Sequence, residues 1–303
     1  MKIRITIILL ISLLFISLFF NIKTSTSNTW FVSFPEANTR HSYDTFHHIK
    51  KAQELATGKG IKVGIIGKYF GYSNNTNLYA GGKNFTGDKE AFETVAEHGL
   101  WMATTLKEIS PDVEIYALNA RDKNRENEAK AIIEAIQWAV DTNIDILTYS
   151  AEAFDIEYKE KIDKAVQKAN DKGVVTTFIH YSGQENILPN GFFPNSSEFP
   201  VREADVNIFH FDYNVLMLFK YENYLKLGRD VGNNLGAHPY FSNSSMSPVL
   251  AGIVAMMKEV NNNLKPVEYK KILIETSKKI NYQGYEVNHV VDAPAAIKYL
   301  KQL

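Results

Sequence analysis

The chain alternates short, nearly unbroken apolar runs with longer stretches in which apolar residues recur every three or four positions. Ile61-Lys62-Val63-Gly64-Ile65-Ile66, opened by Gly58-Lys59-Gly60 and closed by Gly67, is a run of the first kind. Val113–Leu118, Asp145–Tyr149 and Val174–Ile179 come after it, and Val206–Phe211 reads as a fifth. Continuous apolar runs of this length suit strands buried on both faces of a parallel sheet. Helical spacing runs through Glu97–Leu106, through Ala129, Ile132, Ile133, Ile136 and Ala139, and through Ile162, Ala165, Val166 and Ala169. The last of these helices stops at Gly173, suited to the left-handed residue that ends a helix. Lys265-Pro266 opens a further helix through Tyr269, Ile272, Leu273 and Thr276. Residues 71–87, rich in Gly, Asn and Tyr, read as a surface loop. Strands alternating with helices predict an α/β fold: a mostly parallel central sheet with helices on both faces.

One helix stands apart. Val249–Met257 is apolar all round, so it must be buried. Ala251, Gly252 and Ala255 lack bulk and let neighbours approach, and Pro248 suits a first helical turn, where its missing N–H costs nothing. The polar loop Ser242–Ser247 leads into it. A serine there lies near the positive end of a buried helix, a place suited to a nucleophile. A polar cap on a core helix would use the same residues.

Composition narrows the choices. The chain has 303 residues, 45% hydrophobic, with a formal net charge of −1. Near-neutral charge gives no electrostatic case for nucleic acid. The absence of cysteine excludes disulfides, thiolate catalysis and cysteine-ligated zinc. Lys2 and Arg4 precede an apolar run over residues 5–22, and Ser25-Thr26-Ser27 offers small residues for cleavage. Residues 1–27 therefore read as a signal peptide, with an uncleaved membrane anchor as the alternative. Either places the remainder outside the cytoplasm, secreted or anchored. Residues 28–56 read as a short extension, in which His47-His48 lies on the surface or serves local packing rather than binding a metal. With no repeat and no linker, residues 57–303 read as one domain. No loop carries acidic residues at recognisable ligand spacing, so no metal site is identified, calcium in a loop is left open, and no required cofactor is expected.

The loop and helix Ser242–Gly252 resemble the serine motif of the subtilisin-like serine peptidases, Gly-Thr-Ser-Met-Ala-Ser-Pro-His-Val-Ala-Gly. Ser247, Pro248, Ala251 and Gly252 match, and an ungapped reading puts Ser244 on the nucleophile; a shift of one residue would put Ser245 there. Gly60–Gly67 is similar to the family's first strand, which ends in the catalytic Asp. His98-Gly99-Leu100-Trp101-Met102-Ala103 is similar to its His-Gly-Thr-His-Val-Ala helix. Pro111–Ala117 resembles the next strand of the family. Ile136–Ala151 resembles the helix and strand that lead to a substrate-binding Ser-Leu-Gly, here Ser150-Ala151-Glu152. The resemblance covers roughly residues 50–300 in the correct order. It implies a three-layer subtilisin-like fold, with Ser244 as nucleophile, His98 as general base then acid, and Ser150, Ala151 and Glu152 along the substrate. Taken alone, a histidine at a helix start is more readily satisfied by backbone or water, and the flanking pattern brings the two readings level.

The departures from the family pattern are as informative. Gly67 stands at the position of the Asp that orients the imidazole, a loss worth about 10⁴-fold in kcat. Glu97 points about 100° away from His98 around the helix, while Asp88 or Glu90 would have to reach back. The oxyanion Asn is matched by Tyr181, after His180 and before Gly183. Losing such a donor costs about 10²–10³-fold. Ser242 replaces a loop glycine, and residues 28–56 leave little room for a folded propeptide. The reading implied is an exported, degenerate peptidase that binds a peptide or protein in its former cleft, since extended peptides dock on sheet edges. The alternatives are an active serine endopeptidase using Ser244 and His98 with an unidentified acid, and an unrelated α/β solute-binding protein, which would need two lobes.

Overall fold

The computed structural model describes residues 31–33, 46–150, 156–179, 183, 185–192, 205–209, 216–219, 237–239, 243–282 and 285–303. In chain order these give β1 (Phe31–Ser33), α1 (Ile49–Gln53), β2 (Lys62–Gly67), β3 (Gly81–Asn84), α2 (Lys89–Glu93), α3 (His98–Ile109), β4 (Glu114–Asn119), α4 (Arg125–Asp141) and β5 (Ile146–Tyr149). Next come α5 (Ile156–Asp171), β6 (Val175–Phe178), β7 (Pro189–Phe192), β8 (Val206–Phe209), β9 (Leu216–Phe219) and β10 (Ala237–Pro239). The chain ends with α6 (Met246–Val260), α7 (Pro266–Glu275), β11 (Lys278–Tyr282), β12 (Tyr285–Val290) and α8 (Ala293–Leu300).

The central sheet has the order β3-β4-β2-β5-β6, every pair parallel. Side chains alternate across it. Val63 and Ile65 on β2 join a core with α1, α3, α6, α7 and α8. Ile66, one residue on, joins a second core with α4 and α5 on the opposite face. The period-two alternation of a strand thus yields three layers, as the apolar runs predict.

The apolar helix is the pivot of the larger core. Every residue of α6 from Met246 to Lys258 is buried. A Cβ on Gly252 would meet Cγ2 of Ile109 at 2.6 Å, so the missing side chain is what lets α6 and α3 touch. The turn at Gly173 has φ +86°, the left-handed geometry that ends α5. His47 is fully buried, its Nδ1 2.7 Å from the carbonyl of Val291, and α1 packs on α8. Residues before 57 therefore enter the same core as the C-terminal helix.

Two expectations are corrected. Residues 71–87 are not only loop: Gly81–Asn84 is the edge strand β3, parallel to β4. Its glycines answer crowding rather than a turn, because a Cβ would meet the Tyr116 ring at 2.8 Å from Gly81 and the Ala117 carbonyl at 2.7 Å from Gly82. The run from Val206 is a strand, but not of the central sheet. β8 belongs to a second sheet of order β11-β12-β8-β7; residues 210 and 211 lie outside the described residues. A third small sheet joins β1, β9 and β10.

Among the described residues no helix is long and apolar enough to cross a membrane, and no group of His, Asp or Glu is placed to hold a metal ion. Residues 1–27, on which the export signal rests, lie outside the described residues.

Candidate functional site

Parallel strands in register end together. β2 and β4 pair from Lys62 opposite Glu114 to Gly67 opposite Asn119, and Ile66 lies opposite Tyr149 of β5. The residues just past each strand are therefore delivered to one edge of the sheet: Lys68 and Tyr69 after β2, Arg121 after β4, Ser150 after β5. In parallel α/β sheets that edge is where ligand clefts form. Here it carries a cavity of about 320 Å³ lined by these four residues with Ile66, Gly67, Glu97 and His98.

His98 is the first residue of α3, held at the cavity by backbone hydrogen bonds to the 68–71 loop. Gly99 N–H donates to the Lys68 carbonyl at 2.8 Å, and Glu97 N–H to the Tyr69 carbonyl at 2.8 Å. A Cβ on Gly99 would lie 2.7 Å from the Lys68 carbonyl oxygen, so the glycine after the histidine is required by this approach. Tyr69 is held in the left-handed region, φ 65°, and its own N–H donates to the Ala91 carbonyl at 2.7 Å. A residue with a bulky side chain held there stores strain, a feature that gathers at binding and catalytic sites.

The electrostatics around His98 are cationic. Burial first, then the Arg121 guanidinium and the Lys68 ammonium, hold its pKa down at about 4, so the ring is neutral at physiological pH. Among the described residues no carboxylate bonds to the ring. Asp88 is occupied as the cap of α2, accepting from Ala91 N–H at 2.9 Å. Glu97 lines the cavity but is not among the charges acting on His98. Arg121 is anchored by its Nε to the buried carboxylate of Glu128, which Arg125 also approaches at 3.4 Å. Burial pushes the Glu128 carboxyl up, while the two arginines pull it down.

The serine loop meets this edge from the other side. The turn Asn243–Ser245 packs against α3. Ser244 is half-buried and its hydroxyl donates to the Ser150 carbonyl at 3.3 Å. Ser245 is fully buried. Ser247 is also buried, its hydroxyl donating to the Tyr149 carbonyl at 3.4 Å, which ties α6 to the end of β5. Ser150 thus lines the cavity together with His98 and accepts from Ser244.

The same architecture occurs in known proteins. The chain superposes on MycP1 with its N-terminal propeptide removed, with a TM-score of 0.63 at 15% identity over 84% of this chain and 97% of that one. The fold is subtilisin-like. Fervidolysin from Fervidobacterium pennivorans, a keratinolytic enzyme related to subtilisin, gives a TM-score of 0.60 at 18% identity, covering 82% of this chain and 44% of that one. In sequence, the thermostable alkaline protease of Halalkalibacterium halodurans is 22% identical over 167 residues, 51% of this chain. The match spans 42% of that protease, less than half its length. No family model matches the chain.

Within the subtilisin-like fold, the structure brings Gly67, His98, Ser150 and Ser244 to one edge of the sheet. Ala151, Glu152 and Tyr181 lie outside the described residues. Reading the sequence alone missed Lys68, Tyr69 and Arg121. Lys68 was findable, since it comes directly after a predicted strand. Arg121 was not, because only the strand register shows that the turn after β4 returns beside the turn after β2.

Proposed function

We propose that this chain is an exported subtilisin-like domain whose peptidase site has degenerated and whose cleft binds a peptide or protein. The observation that carries the reading is the charge around His98. A general base must become an imidazolium as the serine attacks, and an acid behind the ring stabilises that charge. Here the neighbouring charges are Arg121 and Lys68, which oppose it, while the sequence resemblance aligns Gly67, which lines the same cavity, with the family's acid. The Ser244 hydroxyl is directed to the Ser150 carbonyl, which also leaves it poorly prepared as a nucleophile. Tyr181 in place of the oxyanion Asn is in keeping with the same loss. Export is supported by the pattern of residues 1–27 and by a structural neighbour described as belonging to a type VII secretion system.

The second reading is a slow serine endopeptidase using Ser244 and His98. It is supported by the hydrogen bond from Ser244 to Ser150, which lines the cavity with His98, and by the half-exposure of Ser244 where Ser245 is buried. A fluorophosphonate that reacts with activated serines separates the two. The binding reading expects no labelling, with peptide binding retained in Ser244→Ala. Stoichiometric labelling that Ser244→Ala abolishes would establish the endopeptidase.

A further inference from the structure

Among the described residues, the lining of the cavity beside His98 carries two cations, Lys68 and Arg121, against one carboxylate, Glu97. Among the described residues the Lys68 ammonium makes no ion pair; it lies 4.4 Å from the centroid of the Tyr69 ring. Arg121 gives its Nε to Glu128, and among the described residues its terminal nitrogens make no hydrogen bond. Glu128 is itself shared with Arg125. At the floor, Gly67 contributes no side chain, and a Cβ placed there would meet nothing closer than Cζ of Phe70 at 3.5 Å.

We infer that this cavity is a carboxylate-binding pocket, in which an acidic group of the bound peptide sits above Gly67 between His98, Lys68 and Arg121. The inference rests on the reading that the cleft binds peptide, and it names the chemistry that cleft selects. A guanidinium whose outer edge makes no hydrogen bond among the described residues presents a planar pair of donors that matches a carboxylate. An ammonium beside it adds a point charge, and a neutral histidine becomes a further donor once an anion arrives to stabilise its proton. The volume of about 320 Å³ accommodates an acidic side chain or a chain terminus. Tyr69, fixed in its strained backbone, holds its ring under Lys68 and keeps that ammonium at the site. Glu97 is the internal rival, because it lines the same cavity.

The test is a histidine titration by NMR on the full chain, with His98 assigned through His98→Gln. Sodium acetate is compared with sodium chloride at equal ionic strength. Acetate is expected to raise the His98 midpoint by about one pH unit or more, the effect of an opposite charge within contact range. The His47 and His48 signals serve as controls that do not move. Gly67→Asp, which fills the space, abolishes the acetate response, and Lys68→Met weakens it. Two acetylated tetrapeptides identify the source: one with a glutamate side chain and an amidated end, the other all alanine with a free carboxyl end. A saturable response to either one supports the pocket and says which carboxylate it takes. No acetate response beyond chloride, or an undiminished response in Gly67→Asp, overturns the pocket even if peptides still bind elsewhere in the cleft. An acetate response with neither peptide bound overturns the peptide as its source, and with it the peptide-binding reading.

Discussion

A Cβ built on Gly67 would stand 3.5 Å from Cζ of Phe70, an ordinary contact, at a position whose backbone is not left-handed. The end of β2 therefore has room for a side chain that the sequence does not supply. Gly67→Asp is expected to fold and to place a carboxylate near the His98 ring. The His98 midpoint should rise from about 4 by one to three pH units, measured by NMR titration. A midpoint unmoved in a folded Gly67→Asp would show that the two positions do not face each other. Fluorophosphonate labelling of Ser244 should rise in the same variant, though by much less than the 10⁴-fold that a complete site owes to its acid.

The pairing of Arg121 with Glu128 predicts an asymmetric response to truncation. Removing one partner of a buried ion pair strands the other, at a cost of about 3–5 kcal/mol. Glu128→Ala, which leaves both arginines without the carboxylate, should lower the urea midpoint more than Arg121→Ala, after which Arg125 still approaches Glu128, while replacing Arg121 and Glu128 together by apolar residues should recover part of the loss. Equal losses that simply add would mean the pair is not coupled.

Much of this fold was legible because burial on both faces leaves a plain trace. β2, β4, β5 and β6 are apolar runs bounded by glycine or polar turns, and α6 is apolar on all sides because the core surrounds it. β3 left no such trace. Gly81-Gly82-Lys83-Asn84 has no apolar alternation, since an edge strand crowded by Tyr116 selects small residues instead. β11 and β12 were missed for a related reason: their polar runs Lys278–Tyr282 and Tyr285–Val290 pair with each other, and among their described residues only Val287 and Val290 are buried, in a small separate cluster. At the site, the serine loop and the histidine helix were legible through their neighbours, Gly252 and Gly99, whose missing side chains the packing demands. The cations were not, because a lysine and an arginine more than fifty positions apart become neighbours only through strand register.

Gly252 carries a prediction of its own. With Ile109 at 2.6 and 2.8 Å from a Cβ placed there, Gly252→Ala forces α6 and α3 apart. Overpacking of this kind costs about 1–3 kcal/mol. The loss should appear in denaturant unfolding, and Ile109→Ala in the same chain should relieve part of it. Because the serine turn packs against α3, a shift of α6 should also change labelling or ligand binding at Ser244. Stability lost without any change at the cleft would separate the packing of the two helices from the geometry of the site.

Acid stability depends on buried His47 and half-buried His98. Burial is the largest influence on His47, and it holds the ring at about 4 against an ordinary value of 6.5. The unfolded chain therefore binds the proton more readily. The stability contributed by neutral His47 is complete above pH 6.5 and is lost as pH falls through 6.5 towards about 4, roughly 3 kcal/mol for a fully buried ring. His98 acts in the same direction. Glu108 acts in the opposite one: burial pushes its carboxyl up to about 7, so its contribution is present below 4.5 and lost as pH rises through 7. Between pH 4.5 and 6.5 the single carboxyl offsets only one of the two rings, so the wild-type urea midpoint should fall moderately as the pH is lowered. Glu108→Gln should expose a steep fall in stability with acid over that interval. His47→Gln should flatten the fall, at the cost of a weaker tie to the Val291 carbonyl. An acid limb of the same slope in His47→Gln as in the wild type would mean that this ring takes up its proton without unfolding the chain.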